Sequence, residues 1–525
     1  MTTRGSTQFR GTAFALAVVL ACALTWTVLP AILLSAPHGD NVEQLNWSQA
    51  FQWGYFKHPP LPTWLLRVAI GVFGPSAPLT YALAMACVAA ALMLLWLCAR
   101  QVMEPRHALM ALLVSSANYY LMGRGSFLNH NTVMLPFVAA SAWAALRIVR
   151  GAGWQMWLLL GLAQALGLLT KYQMGLIVVA NAAALLAAGV YRQPRFGAHL
   201  LLAVAATLVP LIPHAVWLAD HQFSTFEYAG HSLLAGLDPV HRLTACASFL
   251  AQQVARLAPA LLALALLIAL TRKPSHAPGA GAPEASEGTP SEARSAKEGS
   301  PQASLPAEAH LPSEARSAKE GALAVLALTP LAGIVLLVLI AGVAPQNHWG
   351  STSTLLIPLL LVSRLRIDAR QSLGAACAAT VVCHAVAIAW NVAVWRVDPG
   401  PHHRFAARAL AELAQRHWSS HQSGPIRLVI GPDWEAGSIA LYLPGHPAVL
   451  PNGDWRQAPW IDRDLLSGCG ALVIARENLP PDQQLSLPEV ASARDLAVLK
   501  ATDSLGRESM IQVALIAPAP GKSCR

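Results

Sequence analysis

The sequence predicts a polytopic α-helical membrane protein that ends in a small α/β domain, and three observations carry that expectation. Of 525 residues, 55% are hydrophobic and 12% charged, against about 25% charged in ordinary soluble domains. Eleven apolar stretches occur before residue 392, and the short loops between them are basic at every second exit. Beyond residue 392 the pattern changes to short apolar runs between Gly and Pro turns.

The expected spans are 11–34, 77–99, 107–122, 128–148, 155–170, 173–190, 199–217, 256–271, 321–342, 351–363 and 371–391. Several are short for a hydrocarbon core of about 30 Å. The first, Gly11–Leu34, follows Arg4 and Arg10 and has the basic start and apolar centre of a secretory signal. Its length and the spans that follow it read as a retained signal-anchor.

Basic residues in short loops favour the cytoplasmic side. Arg100 and Arg106 follow the second span, Arg147 and Arg150 the fourth, and Arg192 and Arg195 the sixth. Arg272 and Lys273 follow the eighth, and Arg364, Arg366 and Arg370 the tenth. The N-terminus is therefore expected inside, and an odd number of spans places 392–525 outside. The net charge of +9 is explained by these loop-edge arginines. No basic stripe interleaved with aromatics points to a nucleic-acid partner.

Residues 272–320 are rich in Pro, Ser, Ala, Glu and Lys, and the decapeptide PSEARSAKEG occurs at Pro290–Gly299 and again at Pro312–Gly321. Such composition lacks the apolar content that offsets ordering entropy and predicts a disordered cytoplasmic linker. The chain then divides into an N-terminal transmembrane region 1–271 with its first outward loop at 35–76, the linker 272–320, transmembrane helices in 321–391, and an outward α/β domain 392–525. In that domain Arg427–Gly431, Ser438–Tyr442 and Ala471–Ala475 read as short strands or helix-strand pieces. Asp433, Trp434 and Glu435 have two readings, sugar contacts or an exposed turn, and the exposed turn is the preferred one. Eight cysteines without a CxxC pair suggest neither zinc nor a disulfide framework.

The first outward loop is unusually aromatic, with Trp47, Trp53, Tyr55, Phe56 and Trp64. Trp and Tyr serve as interfacial anchors at the headgroup level, which accounts for each of them singly. Asp40 is different, because a carboxylate that opens a surface helix serves both as N-cap and as a catalytic group. Lys171 lies on the outward side, where the charge rule does not put a cation. Snorkelling to the interface is one account, and holding a phosphate is the other. Arg124, after Asn118, Tyr119 and Tyr120, is placed in the same way.

Three ordered motifs carry a family resemblance. Gly39–Ser48 followed by Trp53–Leu61 (WGYFKHPPL) resembles the first periplasmic loop of bacterial glycosyltransferase family 39, in the GT-C superfamily, relatives of the protein O-mannosyltransferases and of the lipid A aminoarabinose transferase. Gly161–Tyr172 resembles that family's lysine-containing turn, and Pro345–Trp349 its Pro-His-Trp signature. The resemblance implies a GT-C-like fold in a bacterial inner membrane, with the N-terminus cytoplasmic and the C-terminal domain periplasmic. It implies transfer of a sugar from undecaprenyl phosphate to lipid A or a related envelope acceptor, with membrane lipids as surroundings. The lipid-linked donor is then a substrate and no cofactor is certain.

By the same resemblance Asp40 is the catalytic carboxylate, and Lys171, Arg124, Lys57 and His58 are donor-phosphate contacts. Glu43, Tyr55, Asn131, His130, His348 and Trp349 are candidate acceptor or sugar contacts. The family's first-loop motif is commonly Asp-Glu, whereas Asn41 follows Asp40 here, and the family's second acidic site corresponds to Asn131. Scattered histidines give no chelate spacing, which leaves metal dependence open. Two other classes compete: a secondary transporter, allowed by the number of spans, and a non-catalytic envelope assembly protein, allowed by the missing acids.

Overall fold

The computed structural model describes residues 2–233, 236–271, 313–365, 367, 369–397, 400–476, 485–503 and 505–524. The helices of the first half are α1 (Thr2–Leu33), α2 (Gly39–Trp47), α3 (Leu61–Phe73), α4 (Ala77–Val102), α5 (Pro105–Ser116), α6 (His130–Val149), α7 (Trp154–Leu168), α8 (Met174–Ala187), α9 (Phe196–Leu208), α10 (Ile212–Asp220), α11 (Ser224–Leu233) and α12 (Pro239–Thr271). The second half adds α13 (Ser313–Ala341), α14 (Gly350–Ser353), α15 (Ile357–Ser363) and α16 (Ala369–Val397). The C-terminal region follows with α17 (Pro401–Arg404), α18 (Ala407–His421), β1 (Leu428–Gly431), α19 (Asp433–Ala440), β2 (Ala448–Pro451), α20 (Arg463–Cys469), β3 (Ala471–Ala475), β4 (Arg494–Thr502) and β5 (Glu508–Ile516).

Seven helices among the described residues are long and apolar enough to cross a membrane: Arg10–Leu33, Ala77–Val102, His130–Val149, Phe196–Asp220, Pro239–Thr271, Ala318–Ala341 and Ser372–Val397. Three shorter apolar helices, α3, α7 and α8, accompany them. Of the eleven expected spans, several of them short, not all are continuous long helices, and two causes are local. The stretch 107–122 stops being helical at Ser116, because Asn118 turns its side chain back to accept from Tyr120 N at 3.0 Å. The stretch 351–363 is broken into α14 and α15, and Pro358 near the start of α15 has no N–H to donate to the Thr354 carbonyl.

The expected linker 272–320 lies outside the described residues up to 312. Its last part is helical, because α13 already starts at Ser313. Arg272, Lys273 and Arg366 also lie outside the described residues.

The centre of the bundle is α4 and α6, whose buried faces present Ala91, Leu92 and Leu95 against Ala139, Ala142 and Ala145. Small residues let membrane helices approach closely, which is where packing energy comes from when lipid and side chain are equally apolar. Outside this core Leu20, Leu24 and Ile32 of α1 and Val386 and Trp390 of α16 are exposed. Such an apolar band belongs against lipid. Polar contacts tie the helices as well: Trp26 Nε1 of α1 donates to His384 Nδ1 of α16 at 3.2 Å.

The C-terminal region forms a five-stranded sheet in the order β2-β1-β3-β5-β4, parallel across β2-β1-β3 and antiparallel across β3-β5-β4. Helices α18 and α19 cover one face around Trp418, Val429 and Leu472, and a second apolar cluster covers the other. Two of the expected strand segments are strands. Ser438–Tyr442 instead completes α19 and the turn after it, with Ser438 and Ile439 wholly buried. A disulfide joins Cys469 at the end of α20 to Cys524 in the tail, a pairing that cysteine spacing did not suggest.

This domain docks on the segment 35–47 that follows α1. A Cβ on Gly437 of α19 would lie 2.4 Å from Val42 Cγ1 and 2.6 Å from Asn46 Nδ2 of α2, so the two helices meet only because residue 437 has no side chain. Asn46 Nδ2 donates to Asp433 Oδ1 at 2.8 Å and Trp434 Nε1 donates to the Pro37 carbonyl at 2.7 Å. Residues 433–435 are thus the helix start that clamps the loop, rather than an exposed turn.

Candidate active site

Asp40 lies in the first turn of α2, where the helix dipole favours a negative charge. Its Oδ2 accepts from Asn129 Nδ2 at 2.7 Å, and the Arg124 guanidinium stands 3.9 Å away. The carboxylate side chain is 45% exposed, so a substrate can reach it. Arg124 is held in a short helical turn with its guanidinium 3.7 Å from the Phe127 ring centroid. The His38 imidazole stacks on that same ring, with centroids 3.6 Å apart.

Asn41, the residue that departs from the acidic pattern, is fully buried and satisfies other groups. Its Nδ2 donates to Thr80 Oγ1 at 2.8 Å and to the Ser126 carbonyl at 3.4 Å, while its Oδ1 accepts from Leu128 N at 3.3 Å. A carboxylate has no donor to give Thr80 or Ser126, so an amide suits this position. The substitution locks α2 to the Arg124 loop.

Lys171 sits in the turn between α7 and α8, and its Nζ donates to Asn131 Oδ1 at 2.9 Å. Burial pushes the ammonium down to about 8, with Asp40 acting in the opposite sense. Around it the structure brings together three imidazoles from separate parts of the chain. The His58 and His130 rings lie 4.0 Å apart. His58 is driven far below the usual imidazole range by burial, by His130 and by Lys171. His348 is pushed to about 3 by burial and by the cations Lys171, Arg124 and Arg256. His58 and His348 are therefore neutral at pH 7, hydrogen-bonding groups that bring no charge to the recess.

The remaining predicted residues divide by what already holds them. Lys57 forms an ion pair with Glu43 and lies 5.7 Å from the Tyr228 ring. Burial alone would lower the Lys57 ammonium, but Glu43 raises it instead, and burial raises the Glu43 carboxyl. Tyr55 is buried, stacks on Trp47 at 5.1 Å and donates to the Ala50 carbonyl at 2.8 Å, which fixes the loop. Trp349 is buried in an apolar cluster, and its carbonyl accepts from Gln173 at 2.9 Å. Arg256 on α12 is a site residue that the motifs do not include. It lies 6.0 Å from the Tyr120 ring and acts electrostatically on His348. Its signal in the sequence is a lone arginine inside an apolar run, which marks a polar pathway more often than a lipid contact.

Two cavities adjoin this set. A narrow recess is lined by Tyr120, Arg124, Asn129, Asn131, Thr132 and His348. A cavity of about 780 Å³ runs between α1, α12 and α16, with Trp26, Leu33, Leu262 and Trp390 among its apolar walls and His38 and Arg124 at the end near Asp40. Among the described residues no group of three or more His, Cys, Asp or Glu side chains is placed to hold a metal ion. The arrangement offers an accessible carboxylate, cations beside it and an apolar groove leading to both. That is the equipment for handling an anionic headgroup on a long hydrocarbon chain.

The helical bundle, the loop helix that carries Asp40 in its first turn and the docked sheet domain define a polytopic α-helical membrane protein with a small C-terminal sheet domain. Two structures of ArnT from Cupriavidus metallidurans share this fold at 12% identity. The one bound to undecaprenyl phosphate has a TM-score of 0.58, with 94% of this chain and 97% of that chain covered. The apo structure has a TM-score of 0.59, with 97% and 98% covered. Residues 57–217 match the family model described as dolichyl-phosphate-mannose-protein mannosyltransferase. The lipopolysaccharide core galacturonosyltransferase RgtA of Rhizobium johnstonii is 26% identical over 250 residues, 47% of this chain and 50% of that protein. The chain thus spans about half the length of the relative it matches.

Proposed function

We propose that this protein is a family-39-type glycosyltransferase that moves a sugar from undecaprenyl phosphate to lipid A or a related envelope lipid at the periplasmic face of a bacterial inner membrane. One observation carries the reading: Lys171, an ammonium of depressed basicity, is held by Asn131 of the recess that Arg124 also lines, and Arg124 stands beside the accessible Asp40 at the end of an apolar groove. A desolvated cation of this kind is completed by an anion, and a phosphate on a hydrocarbon tail supplies both the charge and the lipid.

In the reaction the acceptor oxygen attacks C1 of the sugar while the C1–O bond to phosphate breaks, and polyprenyl phosphate leaves. Arg124, Lys171 and Arg256 offset the charge that develops on the phosphate. Asp40 takes the proton of a hydroxyl acceptor as general base. If the acceptor is an already ionised phosphate, Asp40 orients it and supports the positive charge developing at C1. A single displacement inverts the anomeric centre. The bound lipid of the ArnT structure and the acceptor in RgtA's name support the lipid-linked donor and the envelope acceptor. The disulfide in the C-terminal domain supports an outward, oxidising location for it.

Mass spectrometry of envelope lipids from cells with and without the protein tests this reading. A lipid mass differing by one sugar, present only with the protein, is expected. Identical lipid profiles under conditions of confirmed expression would overturn it.

A further inference from the structure

The side chain of Asn129 has a place in the site that its role as a helix cap does not require. Asn129 is 5% exposed and precedes α6 in extended backbone. Its Oδ1 accepts from both Asn131 N and Thr132 N at 3.0 Å, which satisfies two of the unpaired amides of the helix start. Because the oxygen is committed to those amides, the orientation of the carboxamide is settled and Nδ2 must point the other way. There it meets Asp40 Oδ2 at 2.7 Å.

The same short segment carries the opposite charge. Asn131, whose backbone amide is one of the two that Asn129 caps, holds Lys171 through its own side chain at 2.9 Å. The start of α6 is thus a rigid spacer between the carboxylate and the ammonium. A serine or threonine cap would serve the helix equally well but has no second nitrogen to reach Asp40.

We propose that Asn129 is the positioning residue of the reaction: its Nδ2 occupies Oδ2 of Asp40 and leaves Oδ1 as the oxygen that faces the acceptor. This rests on the transferase reading above. Two substitutions keep a capping oxygen and change the contact with Asp40. Asn129→Ser removes the Nδ2 that reaches Asp40 and leaves only a shorter hydroxyl at the cap, and Asn129→Asp sets a second carboxylate against the first.

With purified full-length protein and a polyprenyl-phosphate sugar, Asn129→Ser is expected to lower kcat about tenfold while donor KM changes less than threefold. Asn129→Asp is expected to move the acid limb of the transfer profile upward by about one pH unit, since neighbouring carboxylates resist ionising together. A further readout does not need turnover. The infrared carboxylate stretch of Asp40, assigned by its loss in Asp40→Asn, is expected to shift in Asn129→Ser. An unshifted band in folded Asn129→Ser protein overturns the proposal whether or not transfer is seen. A shifted band in Asn129→Ser, when the wild type itself transfers no sugar, supports the contact and overturns the transferase reading alone.

Discussion

In the proposed reaction Asp40 is the residue on which the chemistry turns, and its neighbours say what its loss should do. Asp40→Asn preserves size and the first turn of α2, so the protein is expected to accumulate normally while kcat falls on the order of 10²–10⁴-fold. Transfer rates of normalised purified variants measure this. Lys171 predicts a different signature. Its ammonium is charged below about 8 and neutral above it, so kcat/KM for the donor should fall as pH rises through that value. Lys171→Arg, which stays protonated, should lose this alkaline limb. Lys171→Ala should weaken donor use about tenfold to a hundredfold, the range of a hydrogen bond to a charged group.

These two residues are legible in the sequence, Asp40 from its motif and Lys171 from being a cation on the wrong side. Asn41 and Asn129 are not. In the motif Asn41 reads as a lost acid, yet it is a buried amide with three partners. Asn129 lies outside the three motifs, yet it is the donor to Asp40. Both depend on contacts across more than eighty residues of sequence, which periodicity does not encode. Asn41→Asp should therefore destabilise the protein by about 1–3 kcal/mol, the cost of an unsatisfied buried polar group, read as a lower thermal unfolding midpoint.

At the scale of elements the decisive contact is α2 against α19. The helix that begins at Asp40 is held on one side by Asn41 and on the other by Gly437, Asp433 and Trp434 of the C-terminal domain. Gly437→Val places a branched side chain where Val42 and Asn46 already sit. It is expected to lower both the unfolding midpoint and transfer activity, and thermal scans alongside transfer assays measure the pair. Helix identities are readable from hydropathy, because apolar length is a strong signal. Breaks are not: the end of α5 depends on the Asn118 turn and the α14–α15 break on Pro358, each a local event inside an otherwise apolar run. The sheet is readable only where strands are wholly buried, as in β1 and β3. The more exposed β4 has no wholly buried run to mark it, and β5 is wholly buried only over its last four residues, Val513–Ile516.

The whole molecule is a membrane bundle that presents one polar face to a small docked domain, and in the proposed orientation that face lies in the periplasm. Alkaline phosphatase fused after Trp395 should be active, and the same reporter fused within 280–310 should be silent. The disulfide gives an independent check of compartment: Cys469 should react with an alkylating reagent only after reduction. The central claim is sugar transfer from a polyprenyl phosphate by Asp40 with Lys171. Its most direct measurement uses purified protein, a radiolabelled undecaprenyl-phosphate sugar and an envelope lipid extract, with the wild type compared with Asp40→Asn. The account predicts labelled lipid from the wild type and a loss of at least about a hundredfold in Asp40→Asn; equal labelling by both proteins, or none by either, would contradict it.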